Sequence, residues 1–233
     1  MLASGLAHEI GTPLGVMRGR AELIQMQADN PKAIRSGLDT IIQQIDRISA
    51  LVRSLLTLAR GDSDGALTEM EASAVVEDVL RLISYEAIKS NVKVLNNLSQ
   101  PKHIMGSPSA LFQVVLNICV NAIQAIQEKK KSAPPEYIGE LSVVAEDVGE
   151  ETQLRISDNG CGIPPENMKK IFSPFFTTKQ VGVGTGLGLA TALKIVTAWG
   201  GYISVSSVVG EGTTFTIHLK RVIKGRPPQP NEQ

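Results

Sequence analysis

The sequence predicts an α+β protein in two parts: an N-terminal antiparallel helical hairpin that pairs into a dimeric four-helix bundle, and a C-terminal α/β sandwich of helices on a largely antiparallel sheet. Three observations carry this. Residues 1–60 hold two apolar seams with an average spacing of about 3.5 residues, the period of coiled-coil packing. Asp29-Asn30-Pro31 separates the seams. After the polar stretch Gly61-Asp62-Ser63-Asp64-Gly65 the pattern changes to a mixture of strands and helices.

The first seam runs through Ala3, Ala7, Ile10, Leu14, Met17, Ala21, Ile24 and Ala28, the second through Ile34, Leu38, Ile41, Ile45, Ile48, Val52, Leu55 and Ala59. Asn30 is the expected cap of the second helix, with Pro31 at its first position. Because that helix also carries Ile42, Leu51 and Leu58 beside its seam, one hairpin alone leaves an apolar flank wet, which predicts a homodimer. The alternative is a hairpin docked on its own second domain. Residues 1–60 are therefore read as the helical hairpin, 61–66 as a hinge, 67–222 as the α/β domain, and 223–233, with three prolines, as a disordered tail. Within the second part, helices are expected at 72–89, 107–129 and 186–199, the last ending at Gly200-Gly201, and strands at 92–98, 138–146, 153–157, 202–207 and 213–220.

Composition narrows the function classes. The 23 Lys and Arg balance 23 Asp and Glu, so no global field holds the chain on nucleic acid or anionic lipid, and no nucleic-acid partner is expected. Apolar runs are broken before the length a membrane span needs. Cys119 and Cys161, with scattered His8, His103 and His218, lack zinc spacing, and a reduced, cytoplasmic compartment is expected. His218 falls on the outward phase of its strand, opposite Phe215, Ile217 and Leu219, and neither it nor His103 is assigned chemistry.

Gly182-Val183-Gly184-Thr185-Gly186-Leu187-Gly188 precedes a predicted helix, where backbone N–H groups and the helix dipole favour phosphate. Glycine spacing alone is weak: no strand precedes it and no Gly-Lys-Ser/Thr follows, so it is also readable as a plain helix entry. Asp158-Asn159-Gly160-Cys161-Gly162 places a carboxylate at a strand end, able to accept an amino-group hydrogen bond. Asn117 and Asn121 lie four apart in an otherwise apolar helix, so their amides emerge on one face. Two amide oxygens suit magnesium, which completes its shell with water and substrate phosphates; a buried Asn pair bonding backbone is the plainer reading.

Taken in order, these segments resemble the ATP-binding domain shared by sensor histidine kinases, type II topoisomerases, mismatch-repair ATPases and heat-shock chaperone ATPases. Gln113 to Ala122 resembles the N box, Asp158 to Gly162 the first glycine box, Phe172 to Lys179 the F box, and Gly184 to Leu189 the second glycine box. That resemblance implies ATP and Mg2+ as ligands, Asn121 as the magnesium ligand assisted by Asn117, Asp158 as acceptor of the adenine amino group, and a mobile lid over about 172–185. Gly160, Gly162, Gly184, Thr185, Gly186, Leu187 and Gly188 belong to the implied nucleotide site, with Lys179 near the terminal phosphate. Phe172, Phe175 and Phe176 otherwise read as core. Gln124 stands where many histidine kinases carry a lysine, and with Pro174 to Lys179 it looks most like the nitrogen-regulation type of sensor kinase.

What ATP is used for rests on residues 1–28. His8 lies beside the Ala7/Ile10 seam and should project from the bundle surface, where a neutral ring nitrogen is a competent nucleophile. Glu9 is placed to orient the ring or take its proton, Thr12 one turn on could orient water toward a phosphoryl group, and Pro13 should bend the helix. Leu6 to Leu14 resembles the H box of histidine kinases. The combined resemblance implies autophosphorylation of His8, in cis or in trans, transfer to an aspartate of a response-regulator receiver domain, and a part for Glu9 and Thr12 in dephosphorylating that regulator. Only seven residues precede His8, so the sequence is read as a fragment with a sensor or membrane part upstream, possessing a cytoplasmic catalytic portion. Two other readings compete: an ATP-hydrolysing conformational machine of the chaperone or topoisomerase type, and a dimeric scaffold that only binds nucleotide.

Overall fold

The computed structural model describes residues 2–27, 29–59, 67–98, 100–179 and 185–222, and, within the helices, not the side chains of residues 2–9, 46–47, 49–51 and 53–59. The chain divides into two compact units, Met1–Gly61 with Ile171–Thr191, and Asp62–Lys170 with Ala192–Gln233. The expected hinge at 61–66 and tail at 223–233 lie outside the described residues.

In the first unit, α1 (Leu2–Met26) and α2 (Pro31–Ala59) form the hairpin. The Asn30 side-chain oxygen accepts the Ala33 amide at 3.2 Å, one of the donors a helix start leaves unpaired, and Pro31 needs no partner there. Buried Gly37 lets the helices close up: a Cβ there would stand 2.7 Å from Ile24 Cδ1. Ile10, Met17, Ile24, Ile34, Ile41 and Ile48 are half-buried along the seam, whereas Leu14, Leu38 and Ile45 are about half exposed in the single chain. α1 runs on through Pro13, which is buried.

In the second unit, a five-stranded sheet has the order β2-β4-β5-β7-β6, built from β2 (Val92–Asn97), β4 (Gly139–Val148), β5 (Glu151–Asp158), β6 (Tyr202–Val208) and β7 (Gly212–Lys220). All neighbours are antiparallel except β2 and β4, whose connection passes through α4 (Pro108–Lys130). Strand alternation sends Leu141, Val143, Ala145, Leu154, Ile156, Phe215 and Ile217 inward. Against them packs the apolar face of α4 (Leu111, Val114, Val115, Ile118, Ala122, Ile126), while that of α3 (Ala72–Lys89; Val76, Val79, Ile83) packs on α4 and β2. By length and hydropathy α4 could cross a membrane; nearly half of it is buried here as the central core helix. The short α5 (Pro165–Met168) follows β5, and α6 (Gly188–Ala198) precedes β6.

Two features depart from the sequence-based expectation. Four-residue strands β1 (Thr68–Glu71) and β3 (His103–Gly106) make a separate antiparallel pair, with His103 Nδ1 3.4 Å from Glu69 Oε1. His218 does lie on the outward phase, yet it is buried. The Tyr202 ring stacks on it at 4.0 Å, while its nitrogens meet Glu151 Oε2 at 3.0 Å and Ser204 Oγ at 2.9 Å. Phase sets the face of a sheet, but neighbouring side chains decide whether water reaches it.

Candidate functional site

The N-box helix and the Asp158 turn are fastened to each other through Ala125. Asn117 and Asn121, both half-buried, lie one turn apart on α4, and Gln113 Nε2 donates to Asn117 Oδ1 at 3.0 Å. Ala125 is the next turn on. Its carbonyl accepts the Cys161 amide at 3.2 Å, and buried Gly160 rests on its backbone. Asn117, Asn121, Asp158, Gly160 and Gly162 thus belong to one contiguous wall of the second unit.

The turn needs its glycines. Gly162 has φ +72°, and a side chain there would run into the Val208 carbonyl. The same turn is pinned to the β6–β7 hairpin by the Gly210 amide on the Cys161 carbonyl at 2.8 Å and the Ile163 amide on Ser207 Oγ at 2.8 Å. Asp158, half-buried at the end of β5, accepts the Gly160 amide at 2.8 Å. Burial pushes its carboxyl up to about 6, opposed by the Gly160 and Thr213 amides and by the Lys129 ammonium. In its ionised form this carboxylate accepts hydrogen bonds and donates none.

A cluster beside this turn escaped the sequence reading. Lys129, Tyr137 and Asn159 meet there: Lys129 Nζ donates to the Asn159 carbonyl at 2.7 Å, and the Tyr137 hydroxyl lies 2.9 Å from that carbonyl. Only the placement of Asn159 within the glycine motif hinted at it, since Lys129 and Tyr137 sit in a polar stretch that reads as a helix end and loop.

The F-box and second-glycine residues belong to the first unit. Phe175 takes a positive φ of 65°, unusual for a bulky residue, and its amide donates to the Gly186 carbonyl at 2.9 Å. Gly186, at φ +64°, sits so close to the Phe175 backbone that no side chain fits. Thr185 Oγ1 accepts the Leu187 amide at 3.4 Å, Leu187 is buried, and Gly188 opens α6. Lys179 is half-buried, its amide donating to Thr177 Oγ1 at 3.2 Å. Phe172, Phe175 and Phe176 are half-buried rather than core. Gly184 lies outside the described residues. In α1, Thr12 is half-buried, whereas the His8 and Glu9 side chains, and with them the expected outward projection of the ring, lie outside those described.

Among the described residues no group of three or more His, Cys, Asp or Glu could hold a metal ion. The Asn117 and Asn121 side chains on α4 offer amide oxygens, hard donors of the kind magnesium takes. Two shallow clefts, one around Gly37 and one beside Tyr202 and His218, are lined by none of these site residues.

Comparison with known proteins identifies the family of each part of the chain. Residues 106–223 match the family described as Histidine kinase-, DNA gyrase B-, and HSP90-like ATPase, and residues 1–64 match the His Kinase A (phospho-acceptor) domain. The chain is 34% identical over 220 residues to the signal transduction histidine-protein kinase AtoS of Escherichia coli (strain K12), covering 94% of this chain and 34% of AtoS. It is 32% identical over 222 residues to the sensory histidine kinase/phosphatase NtrB of Vibrio alginolyticus, covering 94% of this chain and 61% of NtrB. The chain thus spans less than two thirds of the length of either relative. The solved Acinetobacter baumannii histidine kinase AdeS superposes with a TM-score of 0.70 at 26% identity, covering 91% of this chain and 97% of that one. The chain belongs to the histidine kinase-, DNA gyrase B- and HSP90-like ATPase family and, with its phospho-acceptor hairpin, is the catalytic core of a sensor histidine kinase.

Proposed function

We propose that this chain is an ATP-dependent histidine autokinase that moves the γ-phosphate of ATP to His8 and then to an aspartate of a response-regulator receiver domain. One observation carries the reading: His8-Glu9-x-x-Thr12-Pro13 lies in the same polypeptide as the ATPase fold. A hydrolytic machine has no use for a nucleophilic histidine in a helical hairpin. In this reading residues 1–60 dimerise and carry the phosphate, 61–66 join the two parts, and 67–222 bind nucleotide. The chain acts as a homodimer in the cytoplasm, downstream of a sensor or membrane part.

Each residue then has a task. Asp158 accepts the adenine amino group, with Gly160 and Gly162 letting the turn sit close beneath the base. Asn121, assisted by Asn117, would offer amide oxygen to the magnesium that accompanies the nucleotide, and the ion would supply charge neutralisation at the phosphates. Backbone amides of Gly184, Thr185, Gly186, Leu187 and Gly188, at the start of α6, hold the phosphate oxygens, and Lys179 adds an ammonium. The far imidazole nitrogen of His8 attacks phosphorus in line, the bond to the ADP oxygen breaks, and Glu9 takes the ring proton. Glu9 and Thr12 also orient the water that dephosphorylates the regulator; NtrB, named as a kinase and phosphatase, gives that second activity a precedent.

Incubation with γ-labelled ATP and magnesium tests the proposal. Label lost in acid and stable in base, absent from His8→Gln while ADP binding is kept, is the expected result. Phosphate release with no protein label would instead favour the hydrolytic machine, and nucleotide binding with neither would leave only a scaffold.

A further inference from the structure

Three elements outside the recognised boxes converge on the residue next to Asp158. Lys129, in the last turn of α4, donates to the Asn159 carbonyl at 2.7 Å and lies 4.9 Å from the centre of the Tyr137 ring. The Tyr137 hydroxyl is 2.9 Å from the same carbonyl and 3.0 Å from Asn159 Oδ1. Asn159 completes the cluster by accepting the Glu140 amide at 2.7 Å and donating to the Ile138 carbonyl at 2.8 Å. The helix, the loop after it and the first residues of β4 are thereby locked around one peptide unit, with the Asp158 carboxyl one residue away.

The groups that face Asp158 are few. From α4 comes the Lys129 ammonium, from the loop the Tyr137 phenol, from the turn itself the Gly160 amide, and from β7 the Thr213 amide. Lys129 is the cation among them. It holds a fixed place because the carbonyl anchors its tip and the ring supports it from below, a seat that a freely moving surface lysine does not have.

We propose that Lys129 is a positioning residue of the nucleotide site, whose anchored ammonium keeps the Asp158 carboxylate charged and so selects a 6-aminopurine over a 6-oxopurine. The inference rests on the reading of Asp158 as acceptor of the adenine amino group. A charged carboxylate only accepts hydrogen bonds and therefore pairs with the N–H of a 6-aminopurine. A protonated carboxyl donates, and meets the O6 of a 6-oxopurine instead. Burial drives this carboxyl toward the protonated form, opposed by the Gly160 and Thr213 amides and, as the one ionic contribution, by the ammonium. Loss of the ammonium shifts the balance, and with it the base the site prefers.

Equilibrium binding of ADP and of inosine diphosphate to the full chain, between about pH 5 and 8.5, tests this in the unmutated protein, Lys129→Met, Lys129→Gln, Lys129→Arg and Asp158→Asn. In Lys129→Met the pH at which ADP affinity is half lost should rise by about half a unit or more, and the ADP preference at pH 7 should fall about threefold. Lys129→Gln keeps a donor for the Asn159 carbonyl without charge and should follow Met, while Lys129→Arg should follow the unmutated chain. If Gln behaves like the unmutated chain, the side chain is only a tether and the proposal is overturned. An unchanged midpoint in both neutral variants, with pH dependence abolished by Asp158→Asn, overturns the role of Lys129 but keeps that of Asp158. A flat profile in the unmutated chain, equal to that of Asp158→Asn, sinks the reading of Asp158 and this inference with it.

Discussion

Gly160 rests on the backbone of Ala125: a Cβ at Gly160 would stand 2.6 Å from the Ala125 carbonyl carbon and 2.8 Å from its Cβ. Neither atom belongs to a flexible side-chain tip, so Gly160→Ala must lift the turn from α4 and stretch the Cys161 to Ala125 hydrogen bond. The expected cost is about 2–3 kcal/mol of stability, with ADP affinity falling at least tenfold because Asp158 moves with the turn. Gly149→Ala is the control. Gly149 has φ +61° in the open turn between β4 and β5, so alanine there should cost about 1 kcal/mol and leave ADP affinity unchanged. Calorimetric binding and thermal melts on both variants read the difference.

The carboxyl of Asp158, raised by burial from 3.8 to about 6, makes stability and nucleotide affinity run in opposite directions with pH. Between these two values the folded chain keeps a proton that the unfolded chain has lost. The contribution is therefore present at low pH and disappears as pH rises through 6, leaving an ionised half-buried carboxylate that costs about 1–3 kcal/mol at pH 7. Adenine recognition needs that charge. Asp158→Asn should therefore raise the melting temperature of the nucleotide-free protein at pH 7–8, lose that advantage below about pH 4, and weaken ADP binding about 100-fold. A variant that melts lower than the unmutated chain at pH 8 would contradict the assignment.

The two cysteines should separate cleanly. Cys119 is fully buried in α4, and burial pushes its thiol up to about 12, so almost no thiolate exists for a reagent to meet. Cys161, also in no disulfide, is half-exposed in the turn. A thiol-disulfide reagent at about pH 8 should titrate one thiol in the folded chain and two after unfolding in denaturant. Rapid reaction of both in the folded state would mean that α4 is not the packed core helix.

The parts of this fold that were legible in the sequence are those where one periodicity extends over several turns or strand residues. The seams through Ile24 and Ile41, the capped start at Asn30-Pro31, α3, α4 and the five long strands all announce themselves in that way. Strands β1 and β3 do not: four residues give only two alternations, and their pairing joins segments more than thirty residues apart. The site divides likewise. Asn117, Asn121, Asp158 and the glycines stand out in the sequence as residue types at fixed spacing, whereas Lys129 and Tyr137 meet through a carbonyl and a ring face that many residues offer. The burial of His218 under Tyr202 was illegible for the same reason, being a contact between strands and not a property of either.

The stripe Leu38, Ile42 and Ile45 on α2, continued by Val52, stays 41–55% exposed in the single hairpin, although Gly37 beside it is buried against α1. Leu38, Ile45 and Val52 repeat every seven residues, the interval at which a second helix meets the same face again. Burying such side chains in a bundle contributes about 1.5–3 kcal/mol each, and twofold symmetry counts each position twice. Ile45→Glu forfeits that burial and places two like charges in the interface, so the dimer should dissociate at least 100-fold more readily while helix content stays unchanged. Leu82→Glu, at a 59% exposed site on α3, should leave association unaltered. Sedimentation velocity at micromolar concentration distinguishes the three chains; a monomeric unmutated protein, or an Ile45→Glu variant that sediments with it as a dimer, would show that this stripe is not where two hairpins meet.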